Sequence, residues 1–248
     1  MTELEQRIIA VGGLKGGVGK TTIVELLAVE SAYRGKKVAI FDMDPQGSGS
    51  RFVARRNEFN ENTDDPVPTI MNLNRNPAEK DVRKTLLQLS KDYDFIFVDL
   101  VGGNDYDFVV VAMIADTILS PCSDSAKEFE QLPRVFNAIE KAEENLMQLD
   151  PDGNNRIDLR ILLNQLHPSS IAANKELRDI IIAKYGKYAS LCNVEFTTKK
   201  AFTKTGQGLT VTDYGDQLRS KPQLLLDEVI GVRKPRAIKE GVALDGIN

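Results

Sequence analysis

The sequence predicts an α/β fold, a mostly parallel twisted sheet with helices on both faces. Three observations carry this. Short apolar runs alternate with longer helical patterns along nearly all of the 248 residues, the spacing of strand–helix–strand units. A glycine-rich stretch, residues 12–22, joins the first strand to the first helix. Asp42, Asp44, Asp99 and Asn164 fall at predicted carboxyl ends of strands, the edge where such sheets bind ligands.

Taken in order, residues 8–12 read as the first strand and 20–34 as the first helix, with Gly35 as its cap. Residues 37–41 make the second strand, 50–59 a helix, 61–68 a proline-bearing loop and 67–73 a strand. An amphipathic helix is expected over 78–90, a buried strand over 95–98, a helix over 106–115 and a strand over 117–120. Residues 127–149 form a long helical run with Pro133 in its first turn or at a bend. After the turn cluster at 150–155 come a strand at 159–164, a helix at 171–185 and a last strand at 191–196. Helices are expected from Val211 to Arg219 and over 222–232, with an irregular tail from Arg233. No repeat or interdomain linker is evident, so the reading is one domain over residues 1–248.

Composition narrows the class. The net charge of −4 exerts no global pull toward nucleic acid, so any basic surface is local. Cys122 and Cys192 lack metal-ligand spacing and fit buried thiols in a reduced compartment. No apolar run reaches membrane-spanning length, and the acidic first residues do not read as a signal peptide, so the expected location is cytoplasmic. His167, the one histidine, makes neither a metal site nor a hydrolase triad.

The stretch Gly12-Gly13-Leu14-Lys15-Gly16-Gly17-Val18-Gly19-Lys20-Thr21-Thr22 has the layout of a phosphate-binding loop. Its glycines let backbone N–H groups of residues 16–22 turn toward phosphate oxygens, and the following helix points its positive end at the same anion. Lys20 reaches the β- and γ-phosphates of ATP, and the Thr21 hydroxyl is placed to ligate Mg²⁺. Asp99, ending an apolar strand, stands where a second metal-side carboxylate belongs. Asn164 ends the strand at 159–164, and its amide can donate and accept at once.

Leu14 stands where the standard motif has glycine, and Lys15 follows it. With that departure, residues 14–22 resemble the deviant Walker A motif of the ParA/MinD family of P-loop ATPases. The segment Asp42-Met43-Asp44-Pro45-Gln46-Gly47-Ser48 is similar to that family's first switch, and the likeness thins out toward Tyr214. The resemblance implies that Lys15 crosses a homodimer interface to the partner's nucleotide, that Asp44 places the attacking water, and that Asp42 lies near the metal. It implies that Asn164 reads adenine. The second switch departs from the family: Leu100-Val101-Gly102-Gly103 follow Asp99 where a hydroxyl residue and prolines are usual.

Within the family the expected role is a short ParA-type partition ATPase without an N-terminal operator-binding domain. ATP would join two copies, the dimer would bind DNA non-specifically at the nucleoid, and a ParB-type centromere-binding or adaptor protein would stimulate slow hydrolysis. Candidate DNA contacts are Lys199, Lys200, Lys204, Arg219, Lys221, Arg233, Lys234 and Arg236. A MinD-like membrane-associated ATPase is the alternative, resting on the apolar residues Leu224, Leu225, Leu226, Val229 and Ile230; stable membrane association is not expected. Positioning of a protein cargo and assistance to conjugative DNA transfer also stay open. A nitrogenase-iron-protein-like activity lacks its cysteine after the second switch.

Overall fold

The computed structural model describes residues 7–13, 16–76, 81–124, 132–153, 155–198, 207–215 and 217–232. Among them run the strands β1 (Arg7–Val11), β2 (Val38–Asp42), β3 (Met71–Asn74), β4 (Phe95–Asp99), β5 (Thr117–Cys122), β6 (Leu159–Leu163) and β7 (Ser190–Leu191). All pair in parallel, in the order β3-β2-β4-β1-β5-β6-β7. The helices are α1 (Lys20–Tyr33), α2 (Ser48–Glu61), α3 (Val82–Leu89), α4 (Asp105–Ala112), α5 (Leu132–Leu149), α6 (Ile171–Tyr185) and α7 (Ser220–Val229).

The central strands are apolar throughout because both faces are covered. In β1, Ile8 and Ala10 join a cluster with residues of α3, α4 and α5, while Ile9 and Val11 join one with α1, α2 and α7. Helix α1 is buried on nearly every side, which is why Ile23 to Val29 carry no polar stripe beyond Glu25. Gly35, at φ +74°, ends it through an N–H bond to the Ala32 carbonyl. This arrangement sets the end of β1, with the turn into α1, between the ends of β4 and β5.

Several elements differ from the sequence expectation. The third strand is only Met71–Asn74 rather than 67–73, because Val67 exchanges both its backbone groups with the Asn60 side chain instead of a strand. The last strand shortens to Ser190–Leu191, since the Asn193 N–H is taken by the Glu228 carboxylate. The helix expected from Val211 is a series of turns through Gly215, then a 3₁₀ turn at Gln217–Arg219. There the Asp213 carboxylate accepts from the Thr210 N–H and hydroxyl, and Gly215 sits at φ +60°. Helices α3 and α4 start at caps, Asp81 accepting from the Lys84 N–H and Asn104 from the Asp107 N–H. Pro133 is the second residue of α5 as described, where it costs no helix bond. The tail from Arg233 lies outside the described residues.

Candidate active site

The turn from β1 into α1 is rich in glycine and open on one side. Gly17 and Gly19 hold φ +89° and +84°, and the open side of Gly16 and Gly17 offers nothing within 4 Å of an added Cβ. Gly19 precedes α1 as a left-handed cap with no side-chain hydrogen bond, and no acidic residue occupies the first turn. The positive end of α1 stands behind this turn. Val18 anchors the loop with a buried side chain, Lys20 is also buried, and Thr22 is half-buried at the start of α1.

Thr21 faces inward. Its hydroxyl donates to Asp99 Oδ2 at 2.6 Å. Asp99 and Asp42 are register partners at the ends of β4 and β2, and both are buried. Burial lifts the Asp99 carboxyl to about 7; the Thr21 hydroxyl opposes this, Asp42 adds to it, Lys20 opposes it and Asp44 adds to it. Asp42, Asp44, Lys20 and Thr21 therefore all act electrostatically on one carboxylate. A buried acid with a neutral-range pKa, hydrogen-bonded to a hydroxyl and within electrostatic reach of two further carboxylates, suits a divalent cation. Among the described residues no three metal-ligating side chains converge, so such a cation would need phosphate oxygens and water to complete its shell.

Asp42 is held from the other side. Its Oδ2 accepts from the Ser50 N–H at 3.1 Å and from the Ser50 hydroxyl at 3.3 Å, and its Oδ1 from the Asp44 N–H at 3.0 Å. Asp44 is half-buried, with Oδ1 accepting from the Gln46 N–H at 2.9 Å. Asp42, Asp44, Ser50, Asn74 and Arg75 line one open cleft. The Arg75 N–H donates to the Asp42 carbonyl, and its guanidinium pairs with buried Asp107 in α4.

Asn164, after β6, turns its amide to the loop: Nδ2 donates to the Val18 carbonyl at 2.7 Å. Gln165 does likewise to the Gly17 carbonyl at 3.1 Å. An added Cβ on Gly19 would stand 2.5 Å from Asn164 Nδ2, so glycine is required there for space as well as backbone angle. Sequence reasoning missed Gln165, Ser50 and Arg75. Nothing local marks them, except that Gln165 adjoins Asn164.

Of the remaining expected residues, Lys15, Lys199, Lys200, Lys204, Arg233, Lys234 and Arg236 lie outside the described residues. The other two candidate DNA contacts have internal partners. Arg219 stacks on the Tyr33 ring and pairs with Glu30, and Lys221 Nζ donates to the Glu195 carbonyl at 2.5 Å. Leu225, Leu226, Val229 and Ile230 are buried in the core, so only Leu224 of the apolar run faces outward.

Comparisons with known proteins bear on the family and the fold. A family model described as ATPase MipZ matches residues 7–147. The "Probable plasmid-partitioning protein ParA" of Thermus thermophilus is 28% identical over 163 residues, covering 55% of this chain and 51% of that protein. The chain thus spans about half of that relative's length. The "Maintenance of carboxysome distribution protein A" of Halothiobacillus neapolitanus is 29% identical over 164 residues, covering 65% and 68%. The solved structure of pNOB8 ParA bound to nonspecific DNA shares the fold, with a TM-score of 0.60, 16% identity and coverage of 92% and 99%.

Proposed function

Because this chain belongs to the ATPase MipZ family, within the ParA/MinD class of P-loop ATPases, we propose that it is an ATP-hydrolysing switch of the ParA kind. On ATP two copies form a homodimer that holds DNA without sequence preference. A ParB-type or adaptor partner then stimulates hydrolysis and releases it. The observation that carries the reading is the Thr21–Asp99 contact beneath an uncapped helix start and a left-handed glycine loop. That set of groups supports a magnesium-bound nucleotide phosphate as the ligand.

In this reading the N–H groups of residues 16–22 bind and orient the phosphates, and Lys20 offsets their charge. Thr21 and Asp99 would hold Mg²⁺ with Asp42 close by, and that ion would supply charge neutralisation at the phosphate oxygens. Asp44 orients the attacking water from a backbone fixed by Asp42. Lys15 acts across the dimer, and Asn164 stands at the adenine side of the loop. The reaction needs placement and charge compensation more than covalent help.

DNA as cargo draws support from the partition relative and from the DNA-bound ParA of the same fold. The carboxysome-distribution relative makes a protein body the competing cargo. A salt titration of binding to random-sequence duplex, with ATP and with ADP, tests this. A steep loss of binding with salt, seen only with ATP, is expected; equal, weak binding in both states would remove DNA as the cargo while leaving the ATPase intact.

A further inference from the structure

We infer that Gln165 is a positioning residue of the phosphate loop, one that fixes the direction of the Val18 N–H. The inference rests on the nucleotide-binding reading above. A carbonyl only accepts, so the side-chain atom facing the Gly17 oxygen is the Gln165 amide nitrogen, at 3.1 Å. Asn164 does the same for the Val18 oxygen, at 2.7 Å. In a planar trans peptide the carbonyl of one residue and the N–H of the next point in opposite directions. Holding the Gly17 carbonyl toward β6 therefore turns the Val18 N–H away from it, and holding the Val18 carbonyl does the same for the Gly19 N–H. Two neighbouring amides thus turn two successive loop donors to the side opposite β6 before any phosphate arrives.

The backbone of Gln165 supports this role. At φ +58° it is the only non-glycine residue with positive φ among those described. L-residues rarely adopt that conformation, and it persists where surrounding contacts over-determine it. Here the Gln165 carbonyl accepts from the Thr198 hydroxyl at 3.0 Å, the Leu166 N–H donates to the Phe196 carbonyl at 3.0 Å, and the His167 N–H donates to Asp124. The bridge between Leu166 and Thr197 completes the brace. A loop serving only as a connection would relieve the strain with glycine; this one keeps a side chain able to reach the phosphate loop.

The test compares wild type with Q165A, Q165E and Q165G, measuring Mg²⁺–ADP affinity and melting temperature on the full chain. Q165A and Q165G should each bind about three- to tenfold more weakly, the loss of one hydrogen bond. Q165E, equal in length but presenting an acceptor to an acceptor, should bind more weakly than Q165A. Q165G should melt above Q165A, because it relieves the left-handed strain, yet share its weak binding. Wild-type affinity in Q165A and Q165E would overturn the inference. So would affinities that follow melting temperature, with Q165G binding like wild type, since Gln165 would then be only a structural loop residue. Absence of nucleotide binding by wild type would instead remove the functional reading beneath it, and the inference with it.

Discussion

Thr21 and Asp99, separated by 78 positions in the chain, meet through a 2.6 Å hydrogen bond at the carboxyl edge of the sheet. The contact joins the first turn of α1 to the end of β4. It forms because β4 lies beside β1 in the sheet, so the Asp99 carboxylate reaches the turn that leaves Val11.

Asp99 makes ligand-free stability depend on pH. Its folded pKa, about 7, lies above the ordinary 3.8, so the folded chain holds this proton more tightly than the unfolded one. The contribution is full below about pH 4 and is lost as pH rises through about 7. Asp99→Asn should leave stability at pH 4 nearly unchanged and raise it at pH 8 by about 2–4 kcal/mol, read by urea unfolding without Mg²⁺. The same variant should lose Mg²⁺-dependent nucleotide binding. A wild-type chain no less stable relative to Asp99→Asn at pH 8 than at pH 4 would contradict the assignment.

Removing Lys20 takes the buried cation from the proposed phosphate site. Lys20→Ala should weaken ATP binding by about ten- to a hundredfold, the scale of a charge-assisted hydrogen bond. Lys15→Ala should bind ATP yet stay monomeric, and Asp44→Ala should accumulate as an ATP dimer that does not turn over. Light scattering with ATP and with ADP separates the three; ATP-dependent dimerisation of Lys15→Ala would refute its cross-subunit role.

Arg56 is fully buried, donating to the Pro68 and Gly208 carbonyls and to both oxygens of Asp213. Asp213→Ala should cost about 3–5 kcal/mol in urea unfolding, because it strands a buried guanidinium. Gly208→Ala should cost at least as much. Gly208 sits at φ +74°, and its added Cβ would stand 2.2 Å from the Arg56 backbone nitrogen. A variant at either position with near wild-type stability would show that this contact does not hold the fold.

Cys122 and Cys192 are buried thiols outside any disulfide. Burial pushes the Cys192 thiol well above its usual range, and the Glu228 charge adds to the shift. Both thiols should resist alkylation in the folded protein and react on unfolding, as mass spectrometry after timed labelling would show. Rapid labelling of Cys192 under native conditions would count against its placement beneath α7.

The sequence by itself determined the elements whose signals are local. The apolar run, glycine loop and Gly-Lys-Thr of β1 and α1 are contiguous, and Asp42 and Asp99 are legible because an apolar strand pattern ends at each. Signals carried by a few residues were overridden. Val67 exchanges its hydrogen bonds with Asn60, and the turn at Asp213 is set by an arginine 157 positions away. Only the tertiary structure decided that Arg219 and Lys221 have internal partners, that Thr21 bonds Asp99, and that a strained Gln165 braces Gly17. The reason is physical: periodicity and capping act over a few residues along the chain. Which buried donor meets which acceptor depends on strand order, and strand order brings together residues that the sequence keeps far apart.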